Sequence, residues 1–221
     1  MRAVEKGTNA TVFTHWNEAR NPLVDKIGWY CSYCEMSVRQ LIAVEHIVPR
    51  DNGGAPLAWE NFLLSCVYCN SQKSARNQSR TGYLWPDRDN TDFAFGYNKV
   101  DATIALPGPV TPEAEATIDL MGLNRMPGSA HAPTERDTRW IHRLDAWSQA
   151  EKCLSIWQNH PQPYTAELIA MVAAGMGFYS VWTTVFAAEP LALPIIKQAF
   201  VGTFAEQDAN GLRVIRAGGV V

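Results

Sequence analysis

An excess of positive charge, an apolar leader and any internal repeat are all missing from this sequence, and each absence narrows what the chain can do. Lys and Arg number 19 against 22 Asp and Glu, leaving a formal charge of −3 and a pI of about 5.9. No global basic field therefore attracts nucleic acid, and any such contact has to come from a local patch. The N-terminus, Met1-Arg2-Ala3-Val4-Glu5-Lys6-Gly7, has no apolar stretch of the secretory kind, so the expected location is the cytosol. With no repeat and no low-complexity tract, the reading has to rest on single motifs. One run, Leu168 to Ala188, is uncharged and long enough to span a bilayer. Its nearest flanking charges are the acids Glu167 and Glu189, no Lys/Arg cluster orients it, and Gly175 and Gly177 interrupt it. A buried helix broken near the glycines is expected there, not a membrane span.

Cysteine is scarce but patterned. Four of the five fall into two C-x-x-C pairs, Cys31/Cys34 and Cys66/Cys69, while Cys153 stands alone on a helical stretch as packing. Duplicated knuckle spacing without a secretory leader reads as a metal site, not a disulfide framework. Four thiolates suit tetrahedral zinc, and a unit with so little apolar core needs such a staple. A hydrophobic fraction of 47% lets the rest of the chain bury a conventional core.

The chain divides into three. Residues 1–28 form an N-terminal segment, helical over Thr8 to Gly28 with Phe13, Trp16, Ala19, Leu23 and Ile27 roughly on one face. Residues 29–80 form a compact unit: a knuckle, a β-rich run Leu41 to Val48 stopped by Pro49, a turn at Asp51-Asn52-Gly53-Gly54, and a polar helix from Asn70 to about Ser79. Residues 81–221 are expected to be mainly helical and to pack on the finger. They hold loop and short strands over 84–110, a helix opened by Thr111-Pro112-Glu113 and ended at Gly122, a linker at 127–133, and a long helix after Thr134 with Trp140, Leu144, Trp147, Leu154 and Trp157 at helical spacing. These tryptophans read as core, not as base-stacking platforms. Apolar helices fill the stretch from Tyr164 to about Phe204.

Between and inside the cysteine pairs lies a second set of residues: Glu45-His46-Ile47-Val48-Pro49, Gly53-Gly54, Asn61 and Cys69-Asn70-Ser71-Gln72-Lys73. Over about residues 29–75 the sequence resembles the HNH, or His-Me finger, endonucleases, whose elements occur here in order. The resemblance implies an α+β fold in which a zinc-stapled ββα-metal finger sits in a mainly helical chain. Phosphodiester hydrolysis needs a base for the attacking water and a cation for the charge that builds on phosphate and leaving oxygen. His46 titrates near working pH and is assigned as general base, whereas His15, His131, His142 and His160 read as ordinary surface or core groups. Glu45 and Asn70 offer oxygens suited to Mg²⁺ or Mn²⁺. The resemblance implies that they hold this metal, that Asn61 braces the loop orienting His46, and that Lys73 is the terminal lysine of the pattern. The family more often has Asp before the histidine and His at the last position. Lys73, Arg76 and Arg80 make the local basic patch, free of acids from Ser71 to Arg80, and are the expected nucleic-acid contacts.

More loosely, Met-Arg-x-Val-x-Lys-Gly at the start, Tyr83 to Thr91, Ser180-Val181-Trp182 and Phe200 to Phe204 resemble the nuclease subunit of Septu-type anti-phage systems. That resemblance implies prokaryotic defence, DNA as substrate and an ATPase partner. A zinc-dependent nucleobase deaminase also uses C-x-x-C but needs His-x-Glu and an open zinc position. Here the order is Glu45-His46 and four cysteines saturate the metal. The remaining alternative is a non-catalytic zinc module that binds nucleic acid or a protein.

Overall fold

The computed structural model describes residues 1–97, 99, 103–210 and 212–221. The N-terminal segment runs extended across the molecule before any helix forms. Val4 bridges Thr203, its N–H donates to the Pro86 carbonyl at 2.7 Å, and the Arg2 guanidinium donates to the Ile27 and Val201 carbonyls at 2.7 and 2.8 Å. The helix expected from Thr8 starts only after His15. There a 3₁₀ turn, Trp16–Ala19, runs into α1, Arg20–Ile27. The capping box explains the delay: the His15 ring accepts from the Asn17 N–H, and the Glu18 carboxylate accepts from the N–H groups of Thr14 and His15.

The finger is a two-stranded antiparallel sheet with a helix. Strand β1, Ala43–His46, pairs with β2, Phe62–Ser65, in a register that sets Glu45 against Leu63 and His46 against Phe62. Helix α2, Val67–Lys73, begins three residues earlier than expected, because the second knuckle forms its first turn, with the Cys66 sulfur accepting from the Cys69 N–H. It ends at Ser74, which takes a left-handed φ of 45°. Fully buried Leu23, Ile27, Ile47, Phe62 and Leu64 join the finger to α1, each side chain worth roughly 2 kcal/mol of burial.

Beyond the finger come β3, Phe95–Gly96, paired with β4, Ile104–Ala105, and then α3, Thr111–Met121, closed by left-handed Gly122 as the sequence suggested. Four helices form a second core: α4, Arg139–Asn159; α5, Pro163–Met176; α6, Tyr179–Val185; and α7, Leu193–Gln198. The stripe of α4 that buries is Ala146, Ala150, Cys153 and Trp157, so of the expected line only Trp157 is fully buried, with Cys153 packed beside it as expected. Small side chains let α5 and α6 approach closely, so Trp140, Leu144, Trp147 and Leu154 are left half-buried at the flanks. The uncharged run breaks where Gly177 and Phe178 take φ of 81° and 56°. Among the described residues no helix is long and apolar enough to cross a membrane.

That break docks the helical layer on the first knuckle. Met36 bridges Gly177, the Phe178 N–H donates to the Glu35 carbonyl at 2.8 Å, and the Glu35 carboxylate accepts from the Ser180 N–H and hydroxyl at 2.8 and 2.6 Å. A Cβ at Gly177 would lie 2.6 Å from both the Glu35 oxygen and the Ser37 nitrogen, so only glycine permits this approach.

Candidate active site and metal centre

The four paired cysteines converge. Their sulfurs all lie within 4.8 Å of one another, and Cys34 and Cys66 are 3.7 Å apart. A zinc tetrahedron with bonds near 2.3 Å has sulfur–sulfur edges of about 3.8 Å, so the donor set fits zinc. Cys31, Cys66 and Cys69 are buried and Cys34 is half-buried, and four sulfurs complete a tetrahedron with no position left for substrate. Against it lies Arg139, 70 residues from Cys69 along the chain, with Nη1 3.1 Å from the Cys69 sulfur. The rest of that guanidinium donates to the Met121 and Gly122 carbonyls and to Asp137. Nothing in the spacing of the motifs marks Arg139 in advance.

A few residues away, β1 and α2 frame an open cleft of about 250 Å³ lined by His46, Glu45, Asn70, Lys73, Trp16 and Arg50 among others. The His46 Nε2 lies 3.0 Å from the Pro56 carbonyl. A carbonyl only accepts, so Nε2 carries the proton and Nδ1 keeps its lone pair. The ring packs edge-on against Phe62 and Trp16, at 5.2 and 6.1 Å between centroids. Burial pushes its pKa below the ordinary 6.5, opposed by the Pro56 hydrogen bond, so the imidazole is neutral at pH 7.

Asn61 is buried and points away from the cleft opening into the loop that carries His46. Its Oδ1 accepts from the Val48 N–H at 2.8 Å, and its Nδ2 donates to the Val48 and Ala55 carbonyls at 3.0 Å each. It ties both ends of the 48–55 loop together, as a positioning residue. Gly54 sits at the tightest point: a Cβ there would fall 1.9 Å from the Val48 oxygen. Gly54 is thus a steric requirement, and Gly53, at φ 83°, a conformational one, of the loop that presents Pro56 to His46.

Glu45 is almost wholly buried. Its Oε2 accepts from the Tyr33 hydroxyl at 2.5 Å, and its Oε1 forms a buried ion pair with the Lys73 ammonium at 2.5 Å. Both carboxylate oxygens are thus engaged within the chain, while Asn70 is exposed on the same cleft. One carboxylate and one amide oxygen are the donor types of a hard divalent ion that keeps most of its waters, and such an ion would have to displace Lys73 from Oε1. Tyr33, between the first two cysteines, went unnoticed in the sequence because an aromatic inside a knuckle reads as packing.

The three expected nucleic-acid contacts are all engaged within the chain. Lys73 is 2% exposed and also donates to the His46 carbonyl at 2.8 Å. Arg76 pairs with Asp119 at 2.8 Å and donates to the Leu120 carbonyl. Arg80 clasps Asp87 through two bonds, at 3.0 and 3.1 Å. Lys6 reaches the same carboxylate at 3.0 Å and donates to the carbonyls of Trp59, Glu60 and Phe62.

Compared with known protein families, residues 31–76 match the model described as HNH endonuclease. No curated protein and no solved structure matches the chain. The match supports a metal-dependent nuclease at the family level, covering the span that holds both cysteine pairs and every residue of the Glu45–His46–Asn61–Asn70 set.

Proposed function

We propose that the finger hydrolyses phosphodiester bonds in DNA, with His46 as the general base. The observation that carries this reading is the setting of His46: one imidazole nitrogen is occupied by the Pro56 carbonyl, and the other is left as a base on a cleft shared with Glu45 and Asn70. A module that only binds has no need of a histidine fixed in one tautomer beside two hard oxygen donors, which is why the binding-only alternative is not favoured. Glu45 and Asn70 would hold Mg²⁺ or Mn²⁺, which supplies charge neutralisation at the phosphate and leaving oxygen. Nδ1 of His46 takes the proton of the attacking water, while the bond from Nε2 to Pro56 shares the positive charge that results. Asn61 keeps the loop, and with it the Pro56 carbonyl, in place. Tyr33 and Lys73 fix the Glu45 carboxylate so that it is ordered before any ion arrives. The cysteine centre would hold zinc as a staple with no part in the reaction.

A place in a cytosolic anti-phage system beside an ATPase belongs to the same proposal. It is supported only by the looser sequence resemblance, whose segments meet in space: Lys6 with Asp87, and Arg2 with Val201 and Thr203.

Supercoiled plasmid incubated with Mg²⁺ or Mn²⁺ should be nicked or cut, and mild chelation that leaves zinc bound should stop it. His46→Ala should keep zinc content and melting temperature while cleavage falls by at least ~10²-fold, the usual contribution of a positioned base. Wild-type cutting by a folded, zinc-loaded His46→Ala protein would overturn the assignment.

A further inference from the structure

Of the cations that the sequence offers for nucleic acid, Lys73 and Arg80 are held by buried carboxylates and Arg76 by an exposed pair with Asp119, yet a strand entering the cleft brings charge on both sides of the bond to be cut. Arg50 is the cation on this cleft that has no ion pair among the described residues. It follows Pro49 at the rim of the cleft, is exposed, and its guanidinium makes no hydrogen bond or ion pair among the described residues. Asp51 beside it in the chain also lines the cleft but does not pair with it. The backbone under Arg50 is fixed: Pro49 and Arg50 carbonyls accept from Asn52, Gly53 and Gly54, and the Asn52 amide donates to the Ala75 and Asn77 carbonyls at 2.8 and 2.9 Å. The guanidinium is thus an exposed group on a hydrogen-bonded turn and sits over the Trp16 ring, 6.0 Å from its centre.

Trp16 forms the opposite side of the same corner. It is half-buried, its indole N–H has no partner among the described residues, its ring meets that of His46 nearly edge-on, at 68°, and the exposed His15 ring lies tilted against it at 4.9 Å between centroids. An aromatic face beside the catalytic histidine and an unpaired guanidinium beside that face are the two elements of a single-nucleotide subsite: a planar fork for a phosphate and a platform for a base.

Building on the nuclease reading, we propose that Arg50 and Trp16 hold the nucleotide next to the scissile bond, Arg50 through its phosphate and Trp16 by stacking on its base. Neither residue touches the reacting atoms. Both position the strand, so they act on binding more than on the chemical step. Stacking accepts any base, so the subsite fixes where the strand lies without reading its sequence.

Binding can be measured apart from cutting. In the His46→Ala background, with Ca²⁺ in place of Mg²⁺, a labelled 20-nucleotide DNA strand, its duplex and the RNA of the same sequence are titrated at several salt concentrations. Arg50→Met should weaken binding about tenfold and flatten the slope of log affinity against log salt by about one, as loss of one phosphate contact does. Arg50→Lys should recover the slope but only part of the affinity, because an ammonium cannot grip a phosphate with a fork. Trp16→Leu should weaken binding about tenfold at an unchanged salt slope. In the otherwise wild-type protein, Arg50→Met should raise KM with little change in kcat. Unaltered affinity and slope for Arg50→Met on all three probes would overturn the subsite while leaving His46 untouched. Conversely, a protein that never cuts but loses binding in this pattern would sink the nuclease reading and keep the subsite.

Discussion

The Nη1 atom of Arg139 lies 3.1 Å from the sulfur of Cys69, joining the first turn of the long helix α4 to the second cysteine knuckle. Zinc bound by four thiolates carries a net charge of −2, and a buried guanidinium at this distance both balances it and donates a hydrogen bond to one ligand. Because Arg139 is held in turn by Asp137 and by the carbonyls that end α3, the metal centre and the helical layer share one buried polar junction.

Arg139→Met should therefore loosen zinc. Removal of a partner outside the ligand set typically costs 10–100-fold in metal affinity, so release of zinc to a chelator, followed by a colorimetric indicator, should speed up by about that factor. Cys66→Ser should lose zinc outright and melt at a lower temperature. Equal release rates for wild type and Arg139→Met would mean that the contact does not support the metal.

Asp87 predicts an acid limb of stability. Burial alone would raise its carboxyl pKa, but Lys6 and Arg80 outweigh burial and hold it below the ordinary 3.8. A carboxyl depressed in the folded state stabilises the protein above its unfolded pKa, and that contribution is lost as pH falls through the folded value. The loss should lie below pH 3.8. Asp87→Asn leaves Lys6 buried without its counter-ion, so denaturant unfolding at pH 7 should register a loss of about 3 kcal/mol. The gap between variant and wild type should shrink as the pH is taken below 3.8. A gap that stays constant down to pH 2.5 would rule out Asp87 as its source.

Asn61→Ala should damage both stability and cleavage. It leaves the Val48 and Ala55 groups without their side-chain partner, at a cost of roughly 1–3 kcal/mol, and frees the loop that aims Pro56 at His46. A lowered melting temperature with kcat reduced and metal affinity retained is the expected pattern. If kcat is unchanged at a temperature where the variant is fully folded, the loop does not orient the base.

Much of the centre was legible because its chemistry is local in sequence. Two C-x-x-C pairs declare four sulfurs, and Glu45-His46 with Gly53-Gly54 and Asn70 marks the hairpin and helix that frame the cleft, since each motif spans only a few residues whose backbone geometry repeats wherever the motif occurs. Element boundaries were less legible where side chains overruled pattern: His15 and Glu18 delayed the first helix, and Cys66 advanced the second.

What the sequence by itself determined is the donor set, the identity of the histidine and the glycines that its loop needs. Tertiary structure alone decided which charges remain available. Lys73, Arg76 and Arg80 form a basic run on paper, but Glu45, Asp119 and Asp87 arrive from 28, 43 and 7 positions away to neutralise them, while Arg50 has no such partner. Likewise Arg139 meets Cys69 only because α3 and α4 fold back over the knuckle. Pairing of charges depends on separation in space, and a linear sequence carries no record of that distance.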